Sequence, residues 1–542
     1  MSIGNASAPL LTRSIQEAEP AKEPSIDDVI EKYMGATGVL QLLKAVLVAF
    51  AWAMDAQQVF ISAFTDAEPR WHCLAASTTG GCSPASSPCA LPPGSWAWDR
   101  PAAASVVSEW ALGCAGPALV SLPASSFFAG CLAGGFLLAT LADSLLGRKT
   151  MLVVSLASMS VAGALTALAP NVWAYAALRF ASGFSRSMVG TCALVLSTEL
   201  VGESRRGTVS VASFLCFALG FLSLPAIAYA LRDASWRDMY LCTSLPCLCY
   251  SVLVGFLVQE SPRWLLVRGR KQDAVEALRQ LNGRSRSRTT AAGFSMAMLE
   301  LDAACAGTST SGGGDVGALR AMWERPWALR RLAAIMAASF GVGMVYFGMP
   351  LNVGSLLDGG SDSDLYLSVA YNALAEVPSA ALAWLLIGRA DRRGSVVALA
   401  AAAGACSLAC AAIPPGVAAA RMAAEVVSFF AACAALDVVL VYATELFPTS
   451  VRNSAVGLVR QSVVLGGATA PVLIALGRHR QRGSFWSFGV FGVAIGCSGL
   501  FVACLPETRG KSMSDTMDEE EERNHTAAAA TAGGTDCDSG IV

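Results

Sequence analysis

Glu199-Leu200-Val201-Gly202-Glu203-Ser204-Arg205-Arg206 and Glu445-Leu446-Phe447-Pro448-Thr449-Ser450-Val451-Arg452 are the two stretches whose reading decides the fold. In each, a glutamate is followed seven residues later by an arginine, and the copies lie 445 − 199 = 246 residues apart. Two more polar landmarks repeat at nearly that offset. Asp143, ahead of Gly147-Arg148-Lys149, is matched by Asp391-Arg392-Arg393-Gly394, with 391 − 143 = 248. Glu260-Ser261-Pro262-Arg263 is matched by Glu507-Thr508-Arg509, with 507 − 260 = 247. Three landmarks at one offset imply a chain duplicated in parallel into two halves. Transporters built from repeated halves place the substrate near the membrane midplane between them. A receptor or membrane enzyme has no comparable need of the symmetry.

Between the landmarks the chain is apolar. Of 542 residues, 54% are hydrophobic and 14% charged, with mean hydropathy +0.53. Soluble domains carry roughly 25% charged residues, so a large soluble enzyme is excluded. A net charge of −2 argues against general nucleic-acid binding. Three histidines, His72, His479 and His525, leave little for His-ligated metal sites or histidine-based hydrolysis. Neither a metal nor a cofactor is indicated. Gly510-Lys511-Ser512 lacks the earlier glycine of a phosphate loop, so an ATP-driven pump is not supported.

A spanning helix needs about 20 mostly apolar residues. Twelve such spans fit: 42–62, 123–142, 150–169, 172–197, 208–230, 239–258, 332–353, 365–388, 395–413, 418–442, 453–476 and 485–505. The predicted fold is an all-α membrane protein of twelve transmembrane helices in two six-helix halves, 42–258 and 332–505. Outside these lie a tail (1–41), a long loop (63–122), a linker (259–331) and an acidic tail (506–542). The first 41 residues show no cleavable signal pattern. The acidic run 518–522 reads as a solvated, disordered end. The side sharing the termini carries 26 Lys and Arg residues against 7 on the other, which predicts cytoplasmic termini. The 63–122 loop then faces outward, where disulfides persist. Its Cys73, Cys82, Cys89 and Cys114 allow three pairings, among which sequence does not choose.

All the landmarks fall at predicted cytoplasmic helix ends, where carboxylates and guanidiniums form charge-assisted pairs. We expect them to hold the halves together when the inner face is closed and to break when it opens. The predicted gate comprises Asp143, Gly147, Arg148, Lys149, Glu199, Arg206, Glu260, Arg263, Asp391, Arg392, Glu445 and Arg452.

The segments Leu141 to Lys149, Glu260 to Leu266, Glu445 to Asn453 and Pro506 to Gly510 resemble the major facilitator superfamily. Within it they are similar to the organic cation/carnitine transporters, especially the plant members. The large loop between the first two spans is also typical of that group. The resemblance covers residues 40–510 or so. It implies the major facilitator fold, alternating access, and a small organic cation or zwitterion substrate such as carnitine or a polyamine. A proton or sodium ion would serve as coupling ion, in a plasma or vacuolar membrane. The chain departs from the group in places. Asp143 and Gly147 are separated by three residues rather than two, and Val464 stands where animal relatives carry a charge that sorts cations from anions.

Ionisable residues inside spans are costly and by default functional. Lys44, Arg421 and Glu425 lie near predicted span ends and are expected to snorkel. Asp55, with Gln58 one turn on, Glu376 and Asp437 could attract an ammonium group, with Tyr346 or Trp52 adding cation–π attraction. Arg460, next to Gln461, could take a carboxylate, so that a zwitterion would lie between Asp437 and Arg460. The competing reading is internal pairing, Asp437 with Arg460 and Asp55 with Arg179. A sugar porter of the same fold and a non-transporting membrane sensor are the alternative functions.

Overall fold

The structure, a computed structural model, describes residues 38–74, 89, 91–92, 94–141, 146–282, 320, 322–356, 363–414, 416–448, 450–479, 485–510, 514 and 516–523. Helix α1 runs Val39–Thr65 in three consecutive pieces. It is followed by α2 (Pro117–Leu141), α3 (Arg148–Thr166), α4 (Val172–Arg186 and Val189–Glu199), α5 (Glu203–Ala230) and α6 (Trp236–Leu257). The second half contains α7 (Pro326–Asn352), α8 (Ser363–Arg389), α9 (Arg392–Ala412), α10 (Ala418–Leu446), α11 (Arg452–His479) and α12 (Phe485–Leu500). Among the described residues, eleven helices are long and apolar enough to cross a membrane. The twelfth, α4, is broken at Ser187–Met188, and neither piece alone is long enough.

Real helix ends overrun the apolar windows. α1 ends three residues beyond its predicted span, α2 starts at Pro117 rather than 123, and α7 starts at Pro326 inside the expected linker. Prolines 123, 225, 246, 350, 378 and 471 sit inside helices. Packing neighbours in a membrane bundle can satisfy the backbone groups a proline frees. Two short helices, Pro262–Val267 and Lys271–Asn282, occupy the start of the linker.

Small residues set how closely helices approach. A Cβ on Gly130 of α2 would stand 2.1 Å from the Phe180 carbonyl of α4. In the second half, a Cβ on Gly343 of α7 would meet the Val463 carbonyl of α11 at 2.1 Å. These are backbone-to-backbone contacts of the small-residue kind that replaces hydrophobic drive inside a bilayer. The halves meet along α2 against α11 and α5 against α8.

We call the side of the bundle holding residues 66–74 and 94–116 the loop face and the opposite side the tail face. On the loop face, Trp71–Cys73 and Trp96–Trp98 pair as an antiparallel ribbon, with Trp71 opposite Trp98. Cys89 and Cys114 form a disulfide, and Cys73 is also disulfide-bonded. Cys82 lies outside the described residues. Glu109 fastens the loop to α6, accepting hydrogen bonds from Trp236 Nε1 (2.6 Å) and Arg237 Nη1 (2.5 Å). Burial favours its neutral form, but those bonds and the Arg237 charge hold the carboxyl below the usual glutamate range.

The acidic run is not a free end. Residues 517–523 are helical, Asp518 and Glu521 pair with Arg325, and Glu520 pairs with Arg331 at 2.7 Å. Buried Met517 joins the core beside them. Charge complementarity and one apolar anchor give this segment partners that low-complexity composition does not reveal.

Candidate substrate-binding site

The site is built from two charged walls, one in each half. In the first half, Asp55 of α1 is 1% exposed and receives a two-pronged contact from Arg186 of α4. Arg186 Nε donates to Oδ1 at 2.7 Å and Nη2 to Oδ2 at 2.8 Å. The fork geometry makes this a strong charge-assisted pair. The expected pairing of Asp55 with Arg179 is therefore not made. Arg179 lies about two turns nearer the loop face, donating to Ser62 Oγ (3.1 Å) and to the Gln58 carbonyl, with its guanidinium 4.1 Å from the centre of the Phe127 ring.

Gln58 does not join Asp55 on an open wall. It is fully buried, and its Nε2 donates to Thr243 and Ser244 of α6 within the same half. The Trp52 ring packs on Phe214 and Phe217 of α5 and lies against Gly190 of α4.

In the second half, Glu376 sits at the centre of α8 and accepts a hydrogen bond from Tyr346 Oη of α7 at 2.8 Å. Its Oε2 is buried with no hydrogen-bond partner. Asp437 of α10 is close enough to interact electrostatically with both Glu376 and Tyr346. Neither carboxylate belongs to an ion pair among the described residues. Tyr346 stacks on Phe429 with ring centroids 5.7 Å apart, and Phe60, Phe221 and Phe347 pack around them. Two carboxylates beneath an aromatic cluster, with no basic partner of their own, form an acidic pocket.

Arg460 does not neutralise that pocket. Its Nη1 donates across the two halves to Thr191 Oγ1 of α4 at 2.9 Å, and its charged neighbours are Arg186 and Asp55. The expected pairing of Asp437 with Arg460 is thus also not made. Gln461, the next residue, fills the space beside Gly135 of α2, where an added Cβ would fall 1.7 Å from its Nε2. Val464 is a partly buried apolar residue packed on the core. Arg460, though a second-half residue, thus adds its charge beside the Asp55–Arg186 pair and leaves a positive excess there, apart from the negative Glu376 and Asp437.

Thr191 was not legible as a functional residue by itself. The repeat does point to it, since 437 − 191 = 246 makes it the first-half counterpart of Asp437. Arg421 and Glu425 were placed wrongly by the sequence. Both are fully buried rather than snorkelling, because α10 begins at Ala418 and packs between α8 and α9 there. Lys44 does reach outward, its Nζ donating to Gln259 Oε1 and the Gln280 carbonyl on the tail face.

The landmark residues on the tail face form a repeated arrangement. Glu260 accepts from the backbone N–H of Lys149 (2.9 Å) and Thr150 (3.4 Å) at the start of α3, beside Gly147. Glu507 does the same at the start of α9, accepting from the N–H groups of Arg392 and Arg393 at 3.0 Å each. A carboxylate at a helix N-terminus meets unpaired N–H groups and a favourable dipole. Burial would raise the Glu507 carboxyl, but the N–H groups of Arg509, Arg392, Arg393 and Thr508 hold it below the usual range. Arg392 forks onto Glu445 (3.1 Å), Arg509 approaches Asp391 (3.8 Å), and Arg452 Nε donates to the Phe447 carbonyl. Glu199 keeps one buried oxygen without a hydrogen-bond partner.

These contacts run within a half. Glu260, Arg392, Glu445 and Glu507 here brace neighbouring helices of their own half rather than clamp one half to the other. Arg148, Arg206 and Arg263 lie at the same face, and Asp143 lies outside the described residues.

The halves are latched at the loop face instead. Tyr366 at the start of α8 receives a hydrogen bond from Arg100 Nη1 (2.7 Å), stacks on Phe64 of α1 at 5.7 Å and meets Tyr229 of α5 edge-on at 5.6 Å. Three first-half groups converge on one second-half ring and join the halves at that face.

Twelve helices in two repeated halves, with buried charge at their junction, define a multi-pass secondary transporter rather than an enzyme. The family model for "Sugar (and other) transporter" matches residues 105–518, and the chain belongs to that family of the major facilitator superfamily. It is 45% identical to "Organic cation/carnitine transporter 2" of Arabidopsis thaliana over 96% of this chain and 98% of the relative. It is 46% identical to "Organic cation/carnitine transporter 3" of the same plant, over 92% and 93%. "Solute carrier family 22 member 15" of Xenopus tropicalis is 30% identical over 76% and 74%. Among solved structures, the inward open xylose transporter of E. coli superposes with a TM-score of 0.59 at 16% identity, over 87% of this chain and 97% of that one. That likeness shows the fold alone.

Proposed function

We propose that the protein moves organic cations or zwitterions, such as carnitine or polyamines, across a membrane by alternating access. The observation that carries this reading is the acidic pocket of Glu376 and Asp437, two mid-membrane carboxylates with an aromatic cover and no ion-pair partner among the described residues. An ammonium group supplies the missing charge, and the Tyr346 and Phe429 faces add cation–π attraction. Arg460, beside the closed Asp55–Arg186 pair, suits the carboxylate of a zwitterion. The names of the Arabidopsis relatives agree with this substrate class.

Transport runs on a proton or sodium gradient in this reading. The basic-residue bias favours cytoplasmic termini, in a plasma or vacuolar membrane. The latch at Tyr366 then closes the outer entrance, and rupture of its contacts accompanies outward opening. The sugar-porter reading has the fold on its side, but a sugar gives no counter-charge to two half-buried carboxylates. A sensor has no use for so deep a charged pocket.

Radiolabelled uptake of carnitine, a polyamine and glucose into membrane vesicles tests the proposal, with and without a proton gradient. The expected outcome is saturable uptake of carnitine or the polyamine, competed by other quaternary ammonium compounds. Uptake of glucose alone would assign the protein to sugar transport.

A further inference from the structure

Glu425 stands apart from the acidic pocket. It lies two turns into α10 from the loop face, roughly 10 Å deep at 1.5 Å per residue, and is 0% exposed. Asn372 of α8, also fully buried, donates from Nδ2 to Glu425 Oε1 at 3.0 Å. The remaining oxygens of the pair, Glu425 Oε2 and Asn372 Oδ1, are both buried acceptors without a hydrogen-bond partner. Each buried acceptor left without a donor costs roughly 1–3 kcal/mol.

A carboxylic acid and a primary amide are complementary where a carboxylate and an amide are not. The acid accepts from the amide N–H through one oxygen and donates its O–H to the amide oxygen through the other. A single proton on Glu425 Oε2 therefore turns an acceptor into the donor that the pair lacks. The groups facing Glu425 do not replace it. Arg421 lies one turn earlier on α10, and the Cys410 thiol of α9 faces both Arg421 and Glu425. From α8 come Asn372 and, one turn on, Glu376, while α7 offers Tyr346, stacked on Phe429. On α11, Arg460 is turned to Thr191.

Asn372 also connects two sites. It precedes Glu376 by one helical turn, so both point from the same stripe of α8. Any shift of α8 as substrate engages Glu376 changes the fit of the amide to Glu425.

We propose that Glu425 is a proton-binding site, separate from the Glu376–Asp437 pocket, whose protonation is sensed by Asn372 and passed along α8 to the substrate site. One proton adds to the carboxylate to give the neutral acid and leaves again to solvent in the opposite-facing state. The inference rests on the transport function proposed above, and the experiment separates the two.

Infrared difference spectra of the purified protein across a pH titration report protonated carboxyl groups without any substrate. Wild type should show a buried carboxyl C=O band that is missing in Glu425→Gln and has a shifted titration midpoint in Asn372→Leu. In proteoliposomes, Glu425→Gln should retain substrate exchange at equal concentrations but lose accumulation driven by a proton gradient. Should Glu425→Gln fail to fold, the midpoint shift in Asn372→Leu decides. An identical carboxyl spectrum in Glu425→Gln, an unshifted midpoint in Asn372→Leu, or gradient-driven accumulation that survives Glu425→Gln would overturn the proposal. If no organic cation is taken up while the band behaves as described, the transport reading fails and the proton site stands.

Discussion

The two halves repeat the same polar landmarks but treat the charge inside their spans in opposite ways. In the first, Asp55 is locked by the fork of Arg186, and Arg179 is absorbed by Ser62, a backbone carbonyl and the Phe127 ring. In the second, Glu376 accepts from the Tyr346 hydroxyl, Asp437 lies near both, and neither carboxylate has an ion-pair partner among the described residues. The repeat makes the contrast sharper, since 425 − 179 = 246 places Glu425 of one half where the other holds Arg179. A duplicated scaffold thus presents a closed ion pair on one wall and an electrostatic deficit on the other. The closed pair is structure, and the deficit is where a positively charged ligand is worth binding.

Breaking the closed pair should have the largest effect. Removing one member of a buried ion pair leaves an uncompensated charge and costs roughly 3–5 kcal/mol. Arg186→Gln should therefore sharply lower the thermal unfolding temperature in detergent, and the double variant with Asp55→Asn should recover much of the loss. If Arg186→Gln is as stable as wild type, the first wall is not locked as described.

Disturbing the deficit should spare the fold and alter binding. Glu376→Gln should leave the unfolding temperature near wild type while weakening organic-cation binding roughly 10–100-fold, the range for losing a charged hydrogen-bonding partner. Tyr346→Phe should act in the same direction but less, since it leaves the charge in place. Equal affinities in all three proteins would remove Glu376 from the site.

The latch carries a smaller effect on a different readout. Tyr366→Ala deletes a hydrogen bond and two ring contacts, and an aromatic pair is worth about 0.5–1.5 kcal/mol beyond its buried area. Distances between spin labels on the loop-face ends of α1 and α8 should shift toward a longer population. An unchanged distribution would show that closure of that face does not depend on Tyr366.

The smallest effect concerns the loop. The Glu109 carboxyl is held below its usual range, so its bond to Arg237 contributes stability that is present above the unfolded glutamate value of about 4.3 and is lost as pH falls through the lower folded value. The difference in unfolding temperature between wild type and Glu109→Gln should be full at pH 7 and shrink below pH 4 or so. A difference independent of pH would contradict the assignment.

Much of this was legible from the chain. The offsets near 247 announced two halves, and hydropathy located the spans, because a bilayer dictates both length and polarity. What the chain did not disclose was pairing. Arg179 and Arg186 lie seven residues, or nearly two full turns, apart on one helix, so either fits Asp55 by periodicity, and a difference in depth decided for Arg186. Arg460 reached for Thr191 rather than Asp437 because α11 packs against α2 in the other half, a tertiary fact with no local signature. Glu425 was misjudged because the seven residues of α10 ahead of it carry it about two turns in, where it is buried between neighbours. The acidic tail looked unstructured by composition, yet Arg325 and Arg331 stood more than 180 residues earlier as its partners.

The central claim is that the Glu376–Asp437 wall receives a positively charged group. Equilibrium binding of carnitine, a polyamine and glucose to purified wild type and Asp437→Asn, followed by calorimetry, tests it most directly. The account predicts binding of carnitine or the polyamine that weakens roughly 10–100-fold in Asp437→Asn, with no binding of glucose. Binding of the cation that is indifferent to Asp437→Asn, or binding of glucose in its place, would contradict it.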